Sequence, residues 1–349
     1  MGYSAVSAKN LLSWFALFRL GATARGVLPF LLGAVIAWSQ GISMDWLVLG
    51  LSSVAVICVM LMTFLVNDYY DYDTDVSNHG YHKLSGGSRV LVMGLVPRRR
   101  ALTAAYVFTG TAMGIGLWLY FGLKTGPLTI PLGASTIIIG YVYTAGPFRL
   151  SYRGLGEVSI WFACGWLATI TGYYLQAGKL DAVAALASLP GAFSIFLVIL
   201  INEIPDISSD RLNGKNNLAV RLGRDKAGIL YIVMLVISYA SIIIIAFFGA
   251  PAASAFLSIV LLPLMAWIIV TIYKKSLAEK KVQESLSIRT MVYDHLVTVI
   301  YAVSFALAGL NAAGTDAGQL AILAAAFVIV FSLEGLGLFS SRSVAAEYG

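Results

Sequence analysis

Charge is scarce in this sequence. Asp, Glu, Lys and Arg make up 11% of its 349 residues, where a water-soluble globular domain carries about 25%. Cysteine occurs twice and histidine three times. Cys58 and Cys164 both lie inside apolar runs, which excludes a disulfide framework and a cysteine-rich zinc site. His79, His82 and His295 lack metal-ligand spacing, so His82 is at most an acid or base in a loop. What fills the chain instead is apolar: 59% hydrophobic residues and a mean hydropathy of +0.85. That composition describes a polytopic membrane protein.

A bilayer core of about 30 Å takes about 20 apolar helical residues. On that measure the sequence predicts an all-α transmembrane bundle of nine to ten spans forming one domain over residues 1–349. The spans fall near 14–38, 46–66, 101–123, 128–145, 157–176, 183–201, 228–249, 252–272 and 291–312, with an extra C-terminal one near 319–339. No cleavable signal is expected, because Arg19 and Arg25 interrupt the first apolar segment. The connections at 66–101, 146–156, 202–227 and 273–290 hold most of the loop Lys and Arg, whereas the alternate connections hold only Lys124 and Lys179. By the positive-inside rule the N-terminus and the basic loops face the cytoplasm of an inner membrane. The +6 net charge therefore reads as a topology signal and gives no reason to expect nucleic-acid binding.

Acidic residues are rarer still, and seven of the 17 sit in two short windows, NDYYDYDTD at 67–75 and NEIPDISSD at 202–210. Each window directly follows an apolar run, and each fits Asn-[Asp/Glu]-x-x-Asp-x-x-x-Asp. On a helix advancing about 100° per residue, Asn67, Asp68, Asp71 and Asp75 share an arc of roughly 100°, with Asp73 outside it. Asn202, Asp206 and Asp210 share roughly 80°, although Pro205 loosens that helix by removing a backbone donor. Carboxylates crowded on one face repel unless a cation or protons compensate. Two such faces with Asn oxygens nearby suit magnesium, which completes its shell with water and substrate phosphate. Lys83 and Arg89 follow the first window, and Arg211 and Lys215 the second, as cations for a diphosphate. Intramembrane carboxylates also serve cation transport, the competing class; transporters place them near the midplane, not at one face.

The paired windows resemble the signature of the UbiA-type intramembrane prenyltransferases, NDxxDxxxD followed by DxxxD, here DISSD at 206–210. YTAGPFRLSYRGLGE (143–157), GYYLQ (172–176), DRLNGKNNLAVRLG (210–223) and GGSRVLVMGLV (86–96) are similar to segments of the branch that prenylates 1,4-dihydroxy-2-naphthoate in menaquinone synthesis. Arg19, Pro29 and Gly33 match the spacing of its first helix, and the resemblance covers roughly residues 15–310.

The resemblance implies transfer of a polyprenyl group from an allylic diphosphate to an aromatic acceptor, with two magnesium ions and diphosphate release. Asn67, Asp68, Asp71 and Asp75 would hold one ion, and Asp206 and Asp210 the other, with Asn202 as an adjunct. Lys83, Arg89, Arg211 and Lys215 would meet the diphosphate. Arg19, Tyr70, Tyr143 and Tyr152 are candidates for the substrate pocket, since aromatic faces stabilise an allylic cation. Glu157 reads as a helix-end charge partner. Dihydroxynaphthoate is the leading acceptor; hydroxybenzoate, homogentisate, a chlorin alcohol and a glycerol-phosphate lipid remain open.

Overall fold

The computed structural model describes residues 11–82, 84–311 and 316–348, with side chains to 332. Its helices are α1 (Leu11–Ser39), α2 (Trp46–Tyr70), α3 (Arg98–Gly122), α4 (Thr129–Val142), α5 (Gly156–Ala177), α6 (Ala182–Glu203), α7 (Leu218–Ala246), α8 (Ala253–Lys274), α9 (Lys280–Leu310) and α10 (Ala317–Tyr348). Eight of them are long and apolar enough to cross a bilayer. The fourth expected span, 128–145, is shorter than predicted: α4 has 14 residues, and the chain then turns through a Gly146–Pro147 bend. The residues expected to form an extra C-terminal span are helical within α10.

Local chemistry sets the helix ends. Asp45, Asp181 and Asn217 each accept a hydrogen bond from the backbone N–H three residues on, at 2.9, 2.9 and 2.8 Å, capping α2, α6 and α7. Glu157 does something the sequence did not suggest. Its Oε1 accepts from Leu218 N at 2.6 Å, so this buried carboxylate caps α7 rather than its own helix.

Position in the bundle follows from apolarity. Helix α1 is buried almost continuously from Ala24 to Trp38, with apolar residues on every side of that stretch except at Arg25. It packs on α5 at backbone distance, through Gly33 and Gly172. Helices α3, α7 and α8 lie outside and present Val107, Phe121, Ile244 and Val260, all more than half exposed. In water such a surface would be a liability; in a bilayer it is the lipid-facing wall. The buried tyrosines bring their own partners, Tyr173 donating to Gln40 Oε1 at 2.6 Å and Tyr293 to Ser238 Oγ at 3.2 Å.

Candidate active site

Both acidic windows sit where a span gives way to a one-turn helix. Helix α2 ends at Tyr70, and a short helix, Tyr72–Ser77, follows. The straight helix expected through 75 is thus broken at Asp71, yet the Asp71 N–Asn67 O and Asp75 N–Asp71 O bonds, both 2.8 Å, keep these residues stacked. In the second window α6 stops at Glu203 and a helix resumes over Ile207–Leu212. Pro205, with no N–H to donate, occupies the break.

The two windows meet. Asn78 Nδ2, just past the first, donates to Asp206 Oδ1 at 2.7 Å, and Asn213 Nδ2 donates to Ser77 Oγ at 2.7 Å. Lys215 lies between them, with Nζ 2.9 Å from Asp71 Oδ2 and 3.8 Å from Asp210 Oδ1. Asp71 also accepts from Tyr152 Oη at 2.8 Å and from Asn67 Nδ2 at 2.9 Å. Asp210 accepts from Asn217 Nδ2 at 2.7 Å, and Asp206 from Gly86 N at 3.2 Å. Asp68 is held by Arg19 and Ser88. Asp73 is exposed, as expected for the residue outside the arc.

Five carboxylates therefore share one region, and among the described residues two cations, Arg19 and Lys215, pair with them directly. Among the described residues the Asp75 carboxylate has no donor at all. Burial, reinforced by the charges of Asp68 and Asp71, pushes its pKa up to about 8. Burial also raises Asp210, to about 7, against the opposing pull of Lys215. Such a surplus of buried negative charge calls for cations.

Three further details bear on a metal. The pair Gly86 and Gly87, with φ of +73° and +69°, turns the loop under the acids. A Cβ on Gly87 would come within 2.6 Å of Asp75 Oδ2 and 3.3 Å of Asp68 Oδ1. The Asn202 side-chain oxygen is buried with no hydrogen-bond partner, a hard oxygen to spare. Among the described residues no three His, Cys, Asp or Glu side chains converge as a closed metal centre requires. In the first window Asp68 and Asp71 are paired with resident donors, and the Asn67 amide donates to Asp71. One or two carboxylates and added phosphate oxygens, the magnesium pattern, fit this site; a zinc cage does not. Gly87→Ala should therefore cut activity at least tenfold, while the left-handed φ lowers stability by only about 1–2 kcal/mol, read from initial rates and melting in the same detergent.

The other expected residues divide. Arg89 donates to the Asp75 carbonyl and covers the Tyr81 ring, beside the site. Arg211 is exposed and donates to Val220 O at 3.2 Å, so it does not join the site as expected. Lys83 lies outside the described residues. Tyr152 is in place, but Arg149 and Lys215 lie over its ring at 3.5 and 5.7 Å, so it positions charge instead of offering a bare face. Tyr70 turns to Tyr141, with its hydroxyl 3.4 Å away, and leaves the acids. Tyr143 feels the charges of Glu203, Lys215 and Asp71.

Beneath the acids an apolar cavity of about 170 Å³ runs between α1 and α6. Along α2 it extends from Phe64 to Ser52, roughly 18 Å at the helical rise. Arg19 links the two regions, stacking 5.0 Å over the Phe64 ring while pairing with Asp68. Arg25 also lines the cavity, its Nε shielded, and among the described residues it makes no hydrogen bond or ion pair. Neither Arg25 nor Ser88 was singled out from the sequence as a site residue; an arginine inside an apolar span was the available signal for the first.

The chain is similar to proteins of known activity. It is 26% identical over 234 residues to the 1,4-dihydroxy-2-naphthoate octaprenyltransferase of Bacillus subtilis, covering 67% of this chain and 73% of that one. With the Escherichia coli enzyme of the same name it shares 32% over 203 residues, 56% of this chain and 64% of the relative. The structure of a UbiA homolog from Archaeoglobus fulgidus bound to GPP and Mg2+ shares the fold at a TM-score of 0.53 and 17% identity, covering 82% of this chain and 99% of that one. A structure of digeranylgeranylglyceryl phosphate synthase does so at 0.55 and 16%, covering 85% and 98%. The UbiA prenyltransferase family itself matches residues 26–288. The chain belongs to that family, and is a multi-pass membrane prenyltransferase.

Proposed function

We propose that the protein transfers a polyprenyl group from an allylic polyprenyl diphosphate to 1,4-dihydroxy-2-naphthoate and releases diphosphate. The observation that carries this reading is the meeting of the two acidic windows directly above an apolar cavity. An amphiphile with a diphosphate head and an isoprenoid tail needs both. The chain acts as a single domain, with the site on the cytoplasmic side of the inner membrane, as the basic loops indicate.

Asp75, Asp68 and Asp71 on one window, and Asp206 and Asp210 with Asn202 on the other, are the groups to hold two magnesium ions through one or two carboxylates each. Magnesium held by these residues would supply positive charge to neutralise the diphosphate and to stabilise the charge that develops as it leaves. Lys215, Arg89 and Arg19 add positive charge from the protein around the same oxygens. The allylic carbon–oxygen bond breaks with both electrons going to the diphosphate. A ring carbon of the acceptor supplies the pair for the new carbon–carbon bond, and a proton or carbon dioxide then leaves the ring. The apolar wall from Phe64 downward keeps water from the allylic cation and holds the tail.

Arg25 favours a carboxylated acceptor over a neutral one, because its half-buried guanidinium at the cavity wall, with a shielded Nε lacking a partner, offers charge-assisted hydrogen bonds to an anion. Purified protein given magnesium, labelled polyprenyl diphosphate and dihydroxynaphthoate should release diphosphate one-for-one with prenylated product, and chelation should stop it. Arg25→Met should raise the acceptor KM roughly 10- to 100-fold and leave the donor KM alone; 1,4-dihydroxynaphthalene, lacking the carboxylate, should not distinguish the two proteins. Product from hydroxybenzoate or homogentisate but not from dihydroxynaphthoate would reject the acceptor.

A further inference from the structure

A second cavity lies away from the acids, where α8 ends and α9 begins. It measures about 420 Å³ and is lined by Trp267, Lys274, Lys275, Glu279, Lys281 and Ser285, among others. Three lysines thus face one carboxylate. Among the described residues none of the three has an ion pair, so their charge is unspent. Arg289 reinforces it, with its guanidinium 3.8 Å over the Trp267 ring and Nη1 donating to Ser285 Oγ at 2.5 Å.

The surroundings define what such a pocket takes. Trp267 lies two turns before the end of α8, at the depth where indole rings mark the boundary between headgroups and acyl chains. On the same two helices, Val260, Leu262 and Val270 of α8, and Ile288 and Val292 of α9, are all more than two-fifths exposed. A cationic pocket between two helices that also expose apolar residues fits one molecule carrying both complements, an anionic head and long hydrocarbon chains. We propose that this pocket binds the headgroup of an anionic phospholipid, with its acyl chains laid along α8 and α9. Basic pockets between spans recognise acidic headgroups in this way. The prenyl donor is also an anionic amphiphile, but among the described residues that line the pocket Glu279 is the one carboxylate, with no second acid for a magnesium diphosphate.

The position gives occupancy a consequence. Lys280, the first residue of α9, lies 5.4 Å from the centroid of the Tyr81 ring, which Arg89 also covers at 4.3 Å. Tyr81 belongs to the loop that carries Gly86, Gly87 and Ser88 to the acids. A headgroup that fixes the start of α9 thereby steadies the loop under the site.

The test is lipid retention by the full chain, measured by native mass spectrometry after reconstitution in phosphatidylcholine with phosphatidylglycerol added. Wild-type protein should keep one phosphatidylglycerol in preference to phosphatidylcholine. Lys274→Gln with Lys281→Gln should lower that preference roughly 25-fold, at about a factor of five per basic residue. Both lysines are exposed, so the fold should be unaffected, and the corresponding double Arg variant should restore binding. Lys124→Gln with Lys179→Gln, at the other membrane face, should change nothing. Equal retention by wild type and the Gln pair would overturn the proposal. So would displacement of the lipid by inorganic phosphate, which would mark a site for free anions, or by polyprenyl diphosphate, which would mark a donor site. The readout needs no turnover, so its failure leaves the proposed reaction untouched.

Discussion

Asp71→Asn and Asp206→Asn should each reduce turnover by roughly 10³-fold or more while the helical bundle stays intact. The magnitude is that of removing a preorganised group aimed at charge developing in a transition state, about 10²–10³, extended here because the same change also weakens metal binding. Asn keeps the shape: its one carbonyl oxygen can accept from Tyr152 at position 71 and from Asn78 at 206, and Asn67 keeps a partner only by turning its own amide oxygen toward the new NH2. What is lost is the negative charge. Lys215 would be left with Asp210 alone, 3.8 Å away. Initial rates and circular dichroism on the same preparations decide the matter. Asp73→Asn is the internal control: this carboxylate is exposed and should hold activity within twofold. Comparable rates in all three variants would remove the two windows from the chemistry.

The largest effect on stability should come from two glycines. A Cβ on Gly172 would lie 1.9 Å from the carbonyl oxygen of Phe30, and one on Gly33 would lie 2.0 Å from that of Thr169. Both obstacles are backbone, which cannot rotate aside, so α1 and α5 would have to separate along a buried seam of the bundle. Gly172→Ala should destabilise by about 3 kcal/mol, the upper end of what overpacking normally costs, visible as a lowered melting temperature and poor recovery in mild detergent. The same substitution at Gly110 on α3, where a Cβ meets nothing within 4 Å, should be neutral or slightly stabilising. Equal melting of Gly172→Ala and Gly110→Ala would contradict the seam.

Much of this was legible because a bilayer imposes strong rules. Runs such as SSVAVICVMLMTFLV have to be helices, and their lengths located α2 and α6 to within a few residues of the observed ends. The helical period separated Asp73 from its neighbours, and Pro205 marked the break after α6. Contacts made at a distance along the chain were not legible. Arg211 and Lys215 are four residues apart and equally basic, yet one is exposed and the other enters the site. The turn at Gly214, with φ of +71°, lies between them, and no local pattern predicts which side each takes. Glu157 capping a helix that begins 61 positions later is the same kind of fact. The break at Asp71 was missed because propensity alone favours continuing α2; the bonds of Asp71 to Lys215 and Tyr152 favour the turn.

The ammonium of Lys215, shared between Asp71 and Asp210, also sets a timetable. Asp71 leaves the ribosome 144 residues before the lysine that neutralises it. At roughly 5–20 residues per second that interval is on the order of ten seconds. Throughout it, the first window is a cluster of acids without its main counter-charge, attached to a helix already entering the membrane. Hydrocarbon would not tolerate that cluster for so long, whereas water at the membrane face does. The placement of the acids at the end of α2, and not in its middle, is therefore also what makes the chain possible to synthesise in order.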